Sequence, residues 1–199
     1  MGEEGGPRIA IIGSSGSGKS TLARRLGLRL GVSVVELDAL NWDPGWRDLS
    51  KEDPELFRRR IEAATAGERW VADGNYSRIA REPILARATD LIWLDYPRPL
   101  IMRQVIVRSF LRAISGKELW PGTGNREMFS RWLDKDHPIR WAWDTYRPAS
   151  KARDALFQGL ADGPIRLHRP RTHRQTDALV ERLAAEASSS LPRQERDRV

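Results

Sequence analysis

The stretch Gly13-Ser14-Ser15-Gly16-Ser17-Gly18-Lys19-Ser20 decides the fold of this chain. It has the form G-x-x-x-x-G-K-S, and it lies between the apolar run Ile9-Ala10-Ile11-Ile12 and a helical pattern from Thr21 to Leu30. A loop that leads from a buried strand into a helix points its backbone N–H groups, and the positive end of the helix dipole, at one spot. Such a spot suits a phosphate group, so the stretch predicts a binding site for a nucleoside triphosphate.

The residue types of this phosphate loop match the parts of a nucleotide and its Mg²⁺. Glycines let the backbone wrap closely around an anion, the lysine reaches the β- and γ-phosphates, and the serine hydroxyl can ligate Mg²⁺. A plain glycine- and serine-rich turn is the alternative, but the strand before it and the helix after it favour the phosphate site. We predict ATP and Mg²⁺ as cofactors, with Lys19 catalytic and Ser20 on the metal. The predicted nucleotide contacts are Gly13, Ser14, Gly16, Ser17, Gly18, Lys19, Ser20 and Thr21.

Apolar runs that alternate with helical patterns indicate the fold class. Four short runs follow the first strand, at residues 33–37, 70–72, 91–94 and 165–168. Strands that alternate with helices form βαβ units, and therefore a parallel sheet with helices on both faces. The sequence predicts an α/β fold.

The composition of the 199-residue chain fits one domain. Hydrophobic residues make up 40%, which is enough for a core, and the lack of cysteine excludes disulfides and cysteine chemistry. Residues 1–7 do not resemble a secretory signal, and no apolar run approaches the about 20 residues of a membrane helix. We expect a cytoplasmic protein without membrane contact, a monomer or weak dimer, with one domain over residues 1–187 and a polar, disordered tail over 188–199.

The net charge of +7 is concentrated between Arg98 and Arg140, where nine Lys and Arg residues accompany four acids. Three interpretations fit this stretch: a lid of arginines over polyphosphate, a surface that binds nucleic acid, or a solvated helix face. We favour a lid, because transferring phosphoryl oxygens need cationic partners and Arg103, Arg108 and Arg112 would share one helix face. We place the lid insertion at about 114–137. The candidate catalytic arginines are Arg108, Arg112 and Arg126.

Two aspartates follow the predicted strands at 33–37 and 70–72. In open parallel sheets, ligands bind beyond the carboxyl ends of the strands, so both acids would face the crevice of the phosphate loop. Asp38 would accept a hydrogen bond from an acceptor hydroxyl, act as its general base or hold a metal-bound water, unless it only caps a helix. Asp73 would orient the water shell of Mg²⁺, unless Asp73-Gly74 is only a turn.

Tryptophans are concentrated in two parts of the chain. Trp42 and Trp46 lie in a predicted loop after Asp38, where they would stack on a base or sugar, or pin the loop to the domain. Interleaved arginine and tryptophan in the basic region are typical of single-stranded nucleic-acid binding, although helical spacing favours a small core. The tryptophans of that region are Trp120, Trp132, Trp141 and Trp143.

Several segments together resemble one family, the topology modulation proteins, which are P-loop NTPases similar to adenylate kinase. The resemblance covers about residues 8–160. It implies a five-stranded parallel sheet flanked by helices, an ATP site at the loop and an arginine-rich helical lid. The segments that carry it, besides the phosphate loop, are Leu37-Asp38-Ala39-Leu40-Asn41-Trp42, Pro44-Gly45-Trp46, Trp70-Val71-Ala72-Asp73-Gly74-Asn75-Tyr76, Leu94-Asp95-Tyr96-Pro97-Arg98 and Gly124-Asn125-Arg126-Glu127.

The chain departs from adenylate kinases where they hold the phosphoryl acceptor. Asn75-Tyr76-Ser77 replaces their F-P-R, with Arg78 one place late, and no T-G-D-type pocket follows the second strand. An acid directly after that strand instead resembles shikimate- and gluconate-type kinases, whose acceptor is a hydroxyl. The predicted substrate-binding residues are Asp38, Asp73, Asn75 and Arg78, and Asp73 is also predicted at the metal.

The sequence thus predicts an adenylate-kinase-like enzyme that passes the γ-phosphoryl group of ATP·Mg²⁺ to a small acceptor. That acceptor would be a nucleoside monophosphate or a hydroxyl compound. The alternative is an ATP-binding module that binds nucleic acid through its basic, tryptophan-rich region and modulates DNA topology. A kinase needs its lid arginines near the nucleotide, whereas a nucleic-acid binder needs them on an open, outward face.

Overall fold

The sheet that carries the phosphate loop has five parallel strands. The computed structural model describes residues 6–75, 78–115, 118–125 and 138–190. The strands are β1 (Arg8–Gly13), β2 (Ser33–Glu36), β3 (Trp42–Asp43), β4 (Arg47–Asp48), β5 (Trp70–Asp73), β6 (Asp90–Leu94) and β7 (Arg166–His168). The sheet has the strand order β2-β5-β1-β6-β7, and a separate antiparallel hairpin pairs β3 with β4, so the predicted five-stranded sheet is confirmed.

Helices cover both faces of the sheet. No helix in the described part of the chain combines the length and apolar character needed to span a membrane. The helices are α1 (Lys19–Leu30), α2 (Leu37–Asn41), α3 (Leu49–Glu52), α4 (Pro54–Ala64), α5 (Arg78–Leu85), α6 (Arg98–Ser115), α7 (Pro138–Gly159) and α8 (His173–Ser190).

Side chains of β1 alternate between two cores, as expected for a central strand. Ile9 and Ile11 are buried in a cluster that contains α1 and α8 residues, such as Leu26. Ala10, between them, belongs to the cluster on the other face, which contains Phe57 of α4. Leu26 and Phe57 are both 0% exposed, and each such side chain contributes about 2 kcal/mol by leaving water.

The segment after β2 is not the loop that the sequence suggested. Asp38 lies on α2, and both tryptophans that follow it belong to the β3–β4 hairpin. The side chain of Asn41 folds the chain back, because its Nδ2 donates to Asp48 Oδ1 at 2.9 Å and its Oδ1 accepts from Ser50 N at 2.8 Å. Such side-chain bonds cannot be predicted from sequence patterns, because the bonds form only once the chain has turned.

Two predicted boundaries also change. Helix α8 continues to Ser190, so residues 188–190 of the predicted disordered tail are helical, while 191–199 lie outside the described residues. Of the predicted lid insertion at 114–137, α6 includes the first two residues, and the structure describes 118–125 but neither 116–117 nor 126–137.

A buried carboxylate joins two strands at the end of the sheet that lies away from the phosphate loop. Asp90, the first residue of β6, is 0% exposed and accepts hydrogen bonds from His168 Nε2 at 2.7 Å, Thr89 Oγ1 at 2.8 Å and Arg166 Nη2 at 3.0 Å. Burial alone would raise the pKa of Asp90, but the bonds from His168, Thr89 and Arg166 outweigh it and hold the pKa below its ordinary value. The network ties β6 to β7.

Asp90→Asn is expected to lower the free energy of unfolding by about 3 kcal/mol, because it breaks a buried, paired charge. Since the folded pKa is lowered, this stability is present above the ordinary value of 3.8 and is lost as the pH falls below it. Urea unfolding between pH 7 and pH 3 measures both effects. Asp144→Asn, which removes the exposed pair with Arg140, is the control and should change stability by less than about 0.5 kcal/mol; equal losses in the two variants would contradict the assignment.

Candidate nucleotide and acceptor site

The backbone of the phosphate loop adopts a conformation that requires glycine at two positions. Gly16 has φ of 80°, and a Cβ there would lie 2.8 Å from Cβ of Val105 on α6. Gly18 has φ of 88° and immediately precedes α1, so no side chain caps the N–H groups of the first helical turn. The loop therefore presents backbone donors at the start of a helix, as a phosphate site needs.

Asn75 fastens the start of this loop. Its Oδ1 accepts from Gly13 N at 2.8 Å, and its Nδ2 donates to Gly13 O. Gly74 N also donates to Ile11 O at 3.1 Å, which keeps the chain after β5 beside β1. Both polar atoms of the Asn75 side chain thus bond the loop backbone, so the amide helps to position the loop, and its predicted contact with substrate stays a prediction.

Ser20 and Asp73 meet beside the loop as predicted for a metal site. Ser20 Oγ donates to Asp73 Oδ2 at 2.6 Å, and Asp73 is 5% exposed at the end of β5. Burial raises the pKa of Asp73, although Ser20 and Lys19 oppose the shift. The half-buried hydroxyl of Ser20 and the buried carboxylate of Asp73 are oxygen donors that suit Mg²⁺. This ion usually binds one or two protein groups and takes its other ligands from phosphate and water. Among the described residues, no group of three or more His, Cys, Asp or Glu side chains could hold a metal.

Lys19 lies among charges of both signs. Its Nζ donates to Ser14 O at 3.2 Å. Burial lowers the pKa of Lys19 to about 8; Asp38 and Asp73 act to raise it, whereas Arg153 and Arg108 lower it further. Asp38, which follows β2, and Asp73, which ends β5, therefore both lie near the lysine, as the strand-end argument predicts.

Two arginines reach the loop from different helices. Arg108 Nη2 of α6 donates to Ser15 Oγ at 3.1 Å, which supports its selection as a candidate at the phosphates. Arg153 Nη1 of α7 donates to Ser14 Oγ at 3.3 Å, and burial lowers its pKa to about 10. Arg153 is absent from the residues predicted from sequence, because it lies beyond the basic stretch and nothing in the local pattern distinguishes it from exposed arginines. In the structure it lines a cavity together with Ala152 and Leu156.

Two cavities adjoin these arginines. A groove of about 760 Å³ follows α6 and includes Arg103, Arg108 and Arg112 together with His173, so the three arginines share one face as predicted. A smaller cavity of about 160 Å³ is lined by Gly74, Asn75 and Arg153 among mainly apolar side chains. Arg108 connects the groove to the phosphate loop, and Arg153 connects the smaller cavity to it.

Four other predicted site residues lie on helices or outside the described part of the structure. Thr21 is exposed on α1, and Arg112 lies on α6 one turn beyond Arg108. Arg78 begins α5, but its side chain is outside the described part of the structure, as is Arg126. Their predicted contacts with nucleotide or substrate stay predictions.

Sequence similarity to a known protein is found over only part of the chain. No protein-family model matches it. Over 63 residues, the chain is 41% identical to the bifunctional pantoate ligase/cytidylate kinase of Gloeobacter violaceus. The match covers 32% of this chain and only 12% of that relative's length.

The structural comparisons cover nearly the whole chain. Shikimate kinase from Bacteroides thetaiotaomicron has a TM-score of 0.57 at 15% identity, with 90% of this chain and 97% of that chain covered. Shikimate kinase from Acinetobacter baumannii in complex with shikimate gives 0.54 at 19% identity, covering 95% and 97%. A gluconokinase from Sinorhizobium meliloti gives 0.51 at 18% identity, covering 92% and 97%. The chain therefore has the fold of P-loop small-molecule kinases, while its membership of the topology modulation family stays a prediction.

Nucleotide binding is expected to make Lys19 take up a proton. With a pKa of about 8 instead of 10.5, the free lysine loses its proton as the pH rises through 8. Bound phosphates stabilise the charged form and raise the pKa again, so affinity should fall above this pH. Calorimetry of ADP·Mg²⁺ binding at about pH 9, in two buffers of different ionisation enthalpy, measures the uptake. Lys19→Arg stays charged and should abolish it; unchanged uptake in that variant would contradict the role of Lys19.

Proposed function

We propose that the protein is a kinase that passes the γ-phosphoryl group of ATP·Mg²⁺ to a small hydroxyl compound. The observation that carries the proposal is the gathering of charged side chains at one phosphate loop. Cations stabilise the charge that spreads over the phosphoryl oxygens during transfer, whereas acids hold the metal and orient the acceptor. The cations are Lys19, Arg108 and Arg153, and the acids are Asp38 and Asp73.

The nucleotide would lie with its phosphates in the loop and its base toward the groove on α6. Arg108 supports this orientation, because it contacts Ser15 of the loop and also lines the groove. Arg112 and His173, farther along the groove, would then adjoin the sugar and base. When bound, Mg²⁺ supplies positive charge between the phosphates; Ser20 and Asp73 would hold it, the carboxylate directly or through a water.

Asp38 is the acceptor-side acid of this proposal. It is exposed on α2, yet near enough to Lys19 to act on the lysine's pKa. A hydroxyl that donates to Asp38 would therefore lie close to the γ-phosphoryl group. The carboxylate would orient this hydroxyl and accept its proton as the oxygen attacks phosphorus. Phosphoryl transfer needs little proton transfer from the protein beyond this step.

We further propose that the acceptor is small and carries a negative charge. Arg153 adjoins both the loop and the 160 Å³ cavity, and within the described residues no carboxylate forms an ion pair with it. A half-buried cation beside an apolar cavity favours an anionic ligand, although the charge of Asp95 also acts on Arg153. The cavity is small beside the about 300–1,000 Å³ of sites for drug-sized ligands, which favours a hydroxyl compound over a nucleoside monophosphate. The structural relatives, named as shikimate and gluconate kinases, agree with this choice.

The nucleic-acid alternative has less support. It needs arginines on an open face, whereas Arg108 turns toward the phosphate loop and Arg98 lies over the ring of Trp143. Trp42, Trp46 and Trp120 contact one another instead of presenting free rings. The proposed kinase accounts for these groups without a further partner.

Phosphoryl transfer from ATP·Mg²⁺ to a mixed panel of small hydroxy acids, alcohols and nucleoside monophosphates tests the function. We expect acceptor-dependent ADP release with a hydroxy acid, and its loss by at least about 100-fold in Lys19→Ala, because a cation at the transferring group is removed. Asp38→Asn should lower the rate with little effect on ADP binding. Transfer to nucleoside monophosphates alone would overturn the acceptor class, and no transfer at all would overturn the kinase.

Arg153→Ala is expected to lower kcat/KM for the acceptor by roughly 100-fold, because it removes the proposed cationic partner of an anionic acceptor. Arg147→Ala is the matched control, since Arg147 is an exposed arginine of the same helix. The control should stay within about twofold of the natural protein. Similar effects of the two substitutions would show that Arg153 contributes only general positive charge.

A further inference from the structure

Three tryptophan rings join the loop at residues 118–125 to the β3–β4 hairpin. We call this group, Trp42, Trp46 and Trp120, the tryptophan clasp. Trp42 and Trp120 stack with ring centroids 6.1 Å apart and planes at 17°. Trp46 meets them edge-on, with centroid distances of 5.7 Å and 6.1 Å. Aromatic pairs of this kind contribute about 0.5–1.5 kcal/mol each beyond their burial. Trp42 and Trp46 therefore hold the hairpin against the 118–125 loop, and their ring contacts do not require a nucleotide base.

Asn125 completes the contact through both ends of its amide. It is 2% exposed; its Oδ1 accepts from Trp46 N at 3.1 Å and its Nδ2 donates to Asp43 O at 3.2 Å. Trp46 has φ of 64°, the one left-handed backbone among the described residues other than glycine. Such a conformation is unfavourable for a bulky side chain and persists only where its surroundings hold it. The amide of Asn125 is part of what holds it.

The 118–125 loop is closed by hydrogen bonds between its own residues. Leu119 N donates to Asn125 O at 2.8 Å, and Thr123 N donates to Trp120 O at 3.3 Å. The Glu118 carboxylate accepts from Gly124 N, and such backbone bonds lower the pKa of Glu118. Whatever fixes Trp120 and Asn125 therefore fixes the whole loop.

The two partners of the clasp come from opposite sides of the phosphate loop. The 118–125 loop follows α6, whose Arg108 contacts Ser15. The hairpin follows α2, which carries Asp38, and Arg60 of α4 holds it through Leu40 O at 3.1 Å and Asp43 Oδ1 at 2.9 Å. In the sheet, β2 and β6 also lie on either side of β1. The clasp thus connects the segment that follows α6 to the segment that follows α2, on the other side of the phosphate loop.

We propose that Asn125 and the tryptophan clasp are positioning groups that hold α6 so that Arg108 meets the γ-phosphoryl group of the bound nucleotide. Neither Asn125 nor the clasp needs to touch the nucleotide. Opening the clasp frees the end of α6 and removes Arg108 from the transfer geometry. The inference rests on the proposed function, since Arg108 needs a nucleotide to act on.

Binding of ADP·Mg²⁺ with and without beryllium fluoride tests this directly, because beryllium fluoride bound with ADP occupies the place of the γ-phosphoryl group. We expect the natural protein to bind ADP more tightly when the fluoride is present. Asn125→Ala should lose about tenfold or more of this gain, the worth of a charged hydrogen bond, while its affinity for ADP alone stays within about twofold. Gln158→Ala, at an exposed position of α7, is the control and should keep the full gain.

Two further variants separate positioning from general stability. Trp120→Phe should retain most of the gain and Trp120→Ala should lose it, whereas Trp141→Ala, at a ring that is 54% exposed, should change nothing. A double variant of Asn125→Ala and Arg108→Ala should lose no more than Arg108→Ala alone, because both act through one contact. A purely structural role would instead lower the affinity for ADP itself, and the losses would add.

The outcomes distinguish the two proposals. If the natural protein binds ADP but Asn125→Ala keeps the full fluoride gain, or if the two losses multiply, the positioning role is wrong and the kinase stands. If the natural protein binds no ADP, the proposed function is wrong, and the positioning role is overturned with it.

Discussion

The central place of β1 in the sheet determines where the charged groups of the site lie. The phosphate loop leaves this strand between β5 and β6, and parallel pairing brings the carboxyl ends of all three strands to one edge. Asp73 therefore ends beside Ser20, and α6, which follows β6, packs Val105 against Gly16. Ligands of open parallel sheets bind at this edge for the same reason.

The electrostatics of the site follow from gathering cations at a partly buried loop. Lys19 and Arg153 both have lowered pKa values because burial disfavours their charged forms. Arg153 and Arg108 lower the pKa of Lys19 further, whereas Asp38 and Asp73 act to raise it, so burial is the main cause of the shift. Polyphosphate oxygens would favour the charged forms of Lys19 and Arg153, because they bring negative charge next to both side chains. The burial that disfavours these two cations thus favours an anionic ligand.

Much of the site could be predicted from local sequence. The phosphate loop, Ser20 with Asp73, and Asp38 near Lys19 are all placed together as the strand-end argument expects. Arg108 was chosen among several arginines of a basic helix, and the structure places it at Ser15. Arg153 could not be found, because its helix is distant along the chain and reaches the loop only through packing. The bonds between the Asn75 amide and Gly13 could not be predicted either, because they join residues far apart along the chain.

The sequence by itself determined the α/β class, the phosphate loop and the strand-end acids, since these depend on short-range patterns of apolar residues and turns. Tertiary structure alone decided the strand order, the contact of Arg153 with the loop and the pairing of Trp120 with the hairpin. These features join residues far apart along the chain, and many pairings of helices and strands would satisfy the same local patterns. Which pairing forms depends on the burial of both faces of the sheet at once, a property of the packed chain.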